Sequence, residues 1–315
     1  MPHNPPAESA GLPHAAGPAH TAPQLMLFGG VLVVASASIM IRSAQQLGMP
    51  SAAIAALRLG IAALILLPIM LLRARAELGR LARQDALLGV GAGACLALHF
   101  FAWISSLEYT SVASSVALVT SSPLWLGLAA WLMRERLSRL SWAGIGFTML
   151  GSVVIGYSDS SGSGARNALL GDGLALLGAI TVAGYFLVGR ALQRRLSTLL
   201  YIWLVYTSAA MFLVVLALVA AALAPARAGF TSYPATAYLL TLGLALGPQL
   251  LGHTALNWSL RHLSPAFVAV ATLGEPIGSA LLALLFFGQG FVPLQLAGFV
   301  VLLVGIALAA RGERA

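Results

Sequence analysis

The chain has 315 residues, 59% of them hydrophobic and only 8% charged, with a mean hydropathy of +0.92. A soluble domain carries about 25% charged residues, so this composition excludes a soluble globular protein and describes a polytopic membrane protein. The net charge of +8 comes from arginine with no lysine at all, and the arginines sit between apolar runs, which assigns them to membrane topology rather than to nucleic acid.

Residues 1–23 are rich in Pro, Ala and His and hold neither Arg nor Lys. They lack the basic n-region of a signal peptide and read as a disordered tail. Ten apolar segments follow, at about 25–45, 51–72, 86–107, 111–133, 141–157, 172–192, 199–223, 236–258, 265–287 and 292–310. Their lengths suit a bilayer span, which takes roughly 20 residues. Between the fifth and sixth, residues 158–170 open with Ser-Asp-Ser-Ser-Gly-Ser-Gly, a flexible composition that reads as a linker. It separates two sets of five spans, 24–157 and 171–310, and a short tail, 311–315, ends the chain. The expected fold is an all-α membrane protein of ten transmembrane helices.

Thirteen of the seventeen arginines fall on one side of this arrangement, in the connections after the second, fourth, sixth and eighth segments and at the C-terminal end. Arg42, Arg166 and Arg227 fall on the other side, and Arg58 lies inside the second segment. The positive-inside rule makes the arginine-rich side cytoplasmic, with both termini on it. The halves also repeat. At an offset of 153, Ser106, Leu107, Ser111, Ala113 and Pro123 match Ser259, Leu260, Ser264, Ala266 and Pro276. At an offset of 148, Gly30, Ala35 and Arg42 match Gly178, Ala183 and Arg190, and after one inserted residue Gly144 and Gly151 match Gly298 and Gly305. An odd number of spans per half means that the second half enters from the opposite side. The expectation is therefore two inverted five-helix repeats, a plan common in secondary transporters.

Four stretches stand in order along residues 24–310: Ala55–Pro68 with Arg58, Met133–Ser138 with Gly144 and Gly151, Gly171–Gly178, and Gly252–Trp258 continuing to Glu275-Pro276. Together they resemble the EamA-type, ten-helix members of the drug/metabolite transporter superfamily. Gln289 departs from the pattern, since the second repeat of that family usually has Glu there, the counterpart of Glu135. The resemblance implies a basket of helices around a central cavity, with the last helix of each repeat peripheral. It also implies gradient-coupled or facilitated movement of small metabolites, often amino acid export.

Glu275 stands about ten residues into its segment, ~15 Å deep at the helical rise and near the bilayer midplane. Ionisable groups at that depth face a protein interior or a cavity and mark function. Glu275 is thus a candidate proton carrier or partner for a substrate amine; the competing reading is a structural carboxylate that holds backbone amides around Pro276. Arg58 lies about eight residues into its segment, too deep for simple snorkelling. Its guanidinium fork suits a substrate carboxylate. The competing reading, that buried charges pair, makes it a structural partner of Glu275. Gln249, His253 and Asn257 recur every four residues and share a helix face, forming a polar strip with Trp258 that is expected to line a cavity. His99 is a further candidate, though a hydrogen-bonded interior histidine explains it as well. Tyr185 and Tyr206 complete the candidate substrate-binding set, whereas Trp103, near a span end, reads as an interfacial anchor. Pro123, Pro248 and Pro276 are expected to break their helices.

Cys95 is the single cysteine, and no metal or nucleotide motif or nucleophile–base pair is apparent, so no metal, cofactor or catalysis is expected. The expected protein is a secondary transporter of the cell inner (plasma) membrane. It would export, or facilitate the movement of, small metabolites, foremost amino acids, by alternating access around a midplane cavity. Its partners would be a small-molecule substrate and the lipid bilayer. The alternatives are a multidrug or cation exporter and, from another class, a membrane scaffold or sensor subunit.

Overall fold

In the computed structural model the described residues are 21–134, 138–162, 167–223, 229–263, 268, 271, 272 and 274–313, and every regular element among them is helical. The solvent explains this. Backbone in hydrocarbon must satisfy its own N–H and C=O groups, and outside a closed barrel only a helix does so. The chain runs through α1 (Thr21–Ala35), α2 (Ala37–Gln46), α3 (Ser51–Arg73), α4 (Arg75–Leu78), α5 (Arg83–Ser106), α6 (Val112–Val119) and α7 (Ser122–Leu132). It continues through α8 (Arg139–Gly162), α9 (Ala168–Gln193), α10 (Thr198–Leu223), α11 (Ala235–Leu244), a π-helical stretch (Ala245–His253), α12 (Thr254–Ser259), α13 (Gly274–Phe287) and α14 (Pro293–Glu313). Among the described residues, seven rods are long and apolar enough to cross a membrane: α1 with α2, α3, α5, α6 with α7, α9, α10, and α11 through α12. Shorter apolar helices, Arg139–Ile155, Gly274–Phe287 and Pro293–Gly305, occupy the other three expected segments.

Burial is inverted relative to a soluble protein. Leu32, Leu72, Leu169 and Leu285 are exposed on the outside, while Arg58, His99, Gln249 and Asn257 are buried. Lipid tails are as apolar as leucine, so the helices must be held by close packing of small residues and by interhelical hydrogen bonds. α8 and α14 show this. A Cβ on Gly151 would lie 2.6 Å from Leu302 N, one on Gly298 2.7 Å from Ile155 Cγ1, and one on Gly305 2.4 Å from Thr148 N. The glycines matched between the two halves therefore meet each other in one antiparallel helix pair. Elsewhere α5 packs against α9 and α10, α10 also covers α3, and α1 lies along the π-helical stretch and α12.

Several rods are broken where polar side chains take up freed carbonyls. Ser36 Oγ donates to Val33 O at 2.8 Å between α1 and α2. Between α6 and α7, Thr120 Oγ1 donates to Val116 O at 2.8 Å and Ser121 Oγ to Leu118 O at 2.6 Å. Pro123 is the second residue of α7 and Pro276 the third of α13, positions whose N–H groups have no intrahelical acceptor in any case. Pro248 lies within the π-helical stretch. It has no N–H for the carbonyl of Leu244, and the wider turn takes up the gap.

Helix takes up both ends of the stretch expected as a linker, 158–170. α8 continues through Gly162, and Asn167 Oδ1 accepts from Leu170 N at 3.2 Å, capping α9 so that it starts at Ala168. Residues 163–166 lie outside the described residues, as does the stretch 1–20 read as a tail, and α1 already begins at Thr21. α14 runs past the expected end at 310 because Gly312 packs closely on Ser141, where a Cβ would meet Ser141 N at 2.4 Å.

Candidate functional site

α3 carries Arg58 to the interior on a face shared with Ala55, Leu59 and Ala62, all buried, so the guanidinium has no path to water along its own helix. Its Nε donates to Gln249 Oε1 at 2.8 Å, and its Cζ lies 4.1 Å from the centroid of the Phe100 ring. Nη1 and Nη2 are buried without a hydrogen-bond partner, and so is Gln249 Nε2. A whole positive charge is thus held by one hydrogen bond and one aromatic face, worth about 2 kcal/mol when desolvated.

Phe100 gathers the two histidines. His99 and His253 meet its ring edge to face at centroid distances of 4.8 and 5.3 Å. His99 Nδ1 lies 2.9 Å from Gly178 O, and since a carbonyl only accepts, Nδ1 carries the proton. A chain of polar groups runs on from Gln249. Tyr206 OH donates to Gln249 O at 3.5 Å, Asn257 Nδ2 donates to Tyr206 OH at 3.5 Å, and Tyr185 OH donates to Asn257 Oδ1 at 2.5 Å. Arg58, Gln249, Tyr206, Asn257 and Tyr185 therefore form one buried polar line contributed by α3, the π-helical stretch, α10, α12 and α9.

Glu275 is the second residue of α13; its N–H donates to Thr272 O at 3.0 Å, and its carboxylate has no hydrogen bond among the described residues. Its charge and that of Arg58 act on each other, yet no N···O contact between them falls within 4.0 Å. The ion pair weighed for these two residues is not formed. Instead Glu275 faces a narrow cavity of about 40 Å³, room for water rather than for a metabolite, so a substrate needs the helices to part. Its polar lining comes from His99, His253, Thr120, Ser122 and Thr272, and its apolar wall from Trp103, Val182, Phe186 and Leu256. Ser122 stands 153 positions before Glu275, so the matched breaks α6/α7 and α13 meet at the same space.

Two aromatic residues depart from expectation. Trp103 is no interfacial anchor. It is 2% exposed, stacks on His99 with centroids 6.0 Å apart and lines the cavity, because glycine at 178 lets α9 close on α5. Trp258 leaves the polar strip. It lies one residue past Asn257, about 100° further round the helix, and packs on His262 with centroids 4.4 Å apart. Phe100, Thr120 and Ser122 are absent from the sequence reading. The offset from Glu275 pointed to Ser122, whereas a phenylalanine in an apolar span gives no signal. Among the described residues no three His, Cys, Asp or Glu side chains come together to hold a metal.

A buried polar line beside a cavity at the junction of two broken helices is a transporter's arrangement, and the whole sequence agrees. It matches the EamA-like transporter family twice, over residues 22–157 and 169–311. The chain belongs to the EamA-like transporter family. That places it among membrane transporters of the drug/metabolite superfamily, whose members carry small molecules through the bilayer. One solved crystal structure, described only as that of a protein, is similar to this EamA-type chain with a TM-score of 0.67. The likeness covers 93% of this chain and 98% of the other, and at 19% identity it is one of fold. No curated protein matches the chain.

Proposed function

We propose that this EamA-type protein is a secondary transporter of the cell inner membrane, exporting or facilitating the movement of carboxylate-bearing metabolites, foremost amino acids. The observation that carries this reading is the guanidinium of Arg58, fully buried with Nη1 and Nη2 unpartnered. A buried charge without a counter-ion costs several kcal/mol. A substrate carboxylate offers two acceptors in the geometry of the fork. Glu275, interacting with Arg58 through charge but not bonded to it, suits a substrate amine or a transported proton. Gln249, His253, Asn257, Tyr185 and Tyr206 supply polar contacts and His99 a neighbouring wall, while Trp258 is left out. Phe100 lies between the guanidinium and the cavity histidines, so a rotation of its ring admits the carboxylate.

In this reading ten spans form two inverted five-helix repeats, both termini are cytoplasmic, and the repeats rock around the central cavity. A positive centre next to the cavity disfavours organic cations, which weighs against the multidrug reading. The test is counterflow in proteoliposomes with a panel of labelled amino acids, for the wild type and Glu275→Gln. Exchange of a defined subset, lost in the folded variant, is the expected result. A folded wild type that exchanges no amino acid overturns the substrate reading. Exchange of drugs in its place favours the multidrug alternative, and exchange of no solute at all favours the scaffold.

A further inference from the structure

The arginine-rich end of the bundle holds a second and larger space, about 460 Å³, apart from the central cavity. Its polar lining among the described residues is Arg190, Gln193, Arg194, Arg261 and His262, with no Asp or Glu. None of the three arginines is in an ion pair; the ion pair found among the described residues joins Arg195 to Asp85 at 3.0 Å. The C-terminal ends of α9 and α12 adjoin the space and bring about half a negative charge each, which offsets one guanidinium of the three.

The opposite end of the bundle shows how the matched positions are satisfied there. Under the two offsets, Arg190 corresponds to Arg42, Gln193 to Gln45, Leu260 to Leu107 and Arg261 to Glu108. The glutamines make the same bond at both ends. Gln45 Nε2 donates to Ile104 O at 2.7 Å, and Gln193 Nε2 to Asn257 O at 3.0 Å, 153 positions on. The charges do not repeat. Arg42 Nη1 donates to Leu107 O at 2.6 Å and Thr110 O at 2.9 Å, and Thr110 Oγ1 in turn donates to Asp172. Glu108 supplies a second carboxylate, which accepts from Ser51 Oγ. At the arginine-rich end the residue matching Glu108 is Arg261; among the described residues its Nη1 reaches only Thr198 Oγ1, at 3.4 Å, and Arg190 makes no hydrogen bond. One end is balanced by carboxylates of the chain itself, and the other presents guanidinium groups to an open space.

We propose that this space binds a phosphate group. A phosphate offers enough oxygens for three guanidinium forks at once, and arginine is the side chain best fitted to it. The group can come from a soluble phosphorylated compound or from the headgroup of an anionic phospholipid, for which basic pockets between membrane helices are suited. This site is separate from the transport cavity, and the proposal holds whatever the substrate is.

The test is thermal unfolding of the purified full chain in neutral detergent at constant ionic strength. It is titrated with inorganic phosphate, with dioctanoyl phosphatidylglycerol and with dioctanoyl phosphatidylcholine. A saturable rise in apparent Tm is expected with phosphate or with phosphatidylglycerol. The half-maximal dose should rise at least tenfold in Arg190→Gln/Arg261→Gln and in Arg261→Glu, and stay within twofold in Arg75→Gln, which lies on the same side outside the space. Should the double variant not fold, Arg194→Gln at its exposed position gives the same comparison. A response to inorganic phosphate identifies a soluble ligand, and a response to phosphatidylglycerol alone identifies the lipid. No saturable rise, an equal rise with phosphatidylcholine, or an equal weakening by Arg75→Gln overturns the proposal.

Discussion

Replacing Arg58 by methionine separates a binding role from a structural one. The substitution removes the contact with Phe100, about 2 kcal/mol, and leaves Gln249 Oε1 without its donor, about 1–3 kcal/mol. It also removes two buried amino groups that have no partner, each costing about 1–3 kcal/mol. The opposing contributions nearly cancel, so stability should change by no more than about 3 kcal/mol. At about 2–4 °C per kcal/mol this is less than about 12 °C in apparent Tm. Transport should respond differently. A charge-assisted bidentate contact to a carboxylate is worth about 3 kcal/mol, or roughly a hundredfold in affinity. The assay pairs unfolding in detergent with the half-saturating concentration for counterflow of the best amino acid. A stable Arg58→Met that transports with unchanged affinity would refute the substrate role. A collapse in Tm well beyond about 12 °C would show that Arg58 holds the helices together.

Four further outcomes follow from single residues. Glu275→Gln should lose uphill accumulation driven by an imposed pH gradient along with counterflow; gradient-driven uptake at the wild-type level rules out a proton-carrying role for the carboxylate. Tyr185→Phe leaves Asn257 Oδ1 without its 2.5 Å donor, so it should lower stability by about 1–3 kcal/mol in unfolding measurements. Gly305→Ala sets a Cβ 2.4 Å from Thr148 N, a backbone atom that cannot turn aside, and should cost about 1–3 kcal/mol by parting α8 from α14. Gly146→Ala, with nothing within 4 Å of its Cβ, should be neutral or stabilising by up to about 1 kcal/mol in the same assay.

The helices were largely legible in the sequence, because a span must be long, apolar and free of charge, and that leaves a pattern in one dimension. The two charges that break the pattern, Arg58 and Glu275, were legible for the same reason. What they do with each other was not. A bare charge count suggests that they pair, whereas the helices hold them apart, Arg58 against Gln249 and Phe100 and Glu275 at the cavity. The matched glycines were read as a sign of repetition, and their meeting in one interface became visible only when α8 and α14 were set side by side. Trp103 misled because an aromatic residue near a span end fits the membrane interface as well as the interior.

The sequence by itself determined that this is a helical membrane protein with two related halves. Those properties follow from composition, apolar segment length and residue offsets, which survive without coordinates. Its motifs also carried the family. Only the tertiary structure decided which polar residues share a site and which charges lack a partner. Arg58 and Gln249 are 191 positions apart, and no periodicity along one helix records which face of another will close on it. The same holds at the two ends of the bundle. Gln45 and Gln193 make matching bonds, yet carboxylates gather at one end, where Thr110 meets Asp172 from 62 positions away, and none lines the arginine-rich space among the described residues.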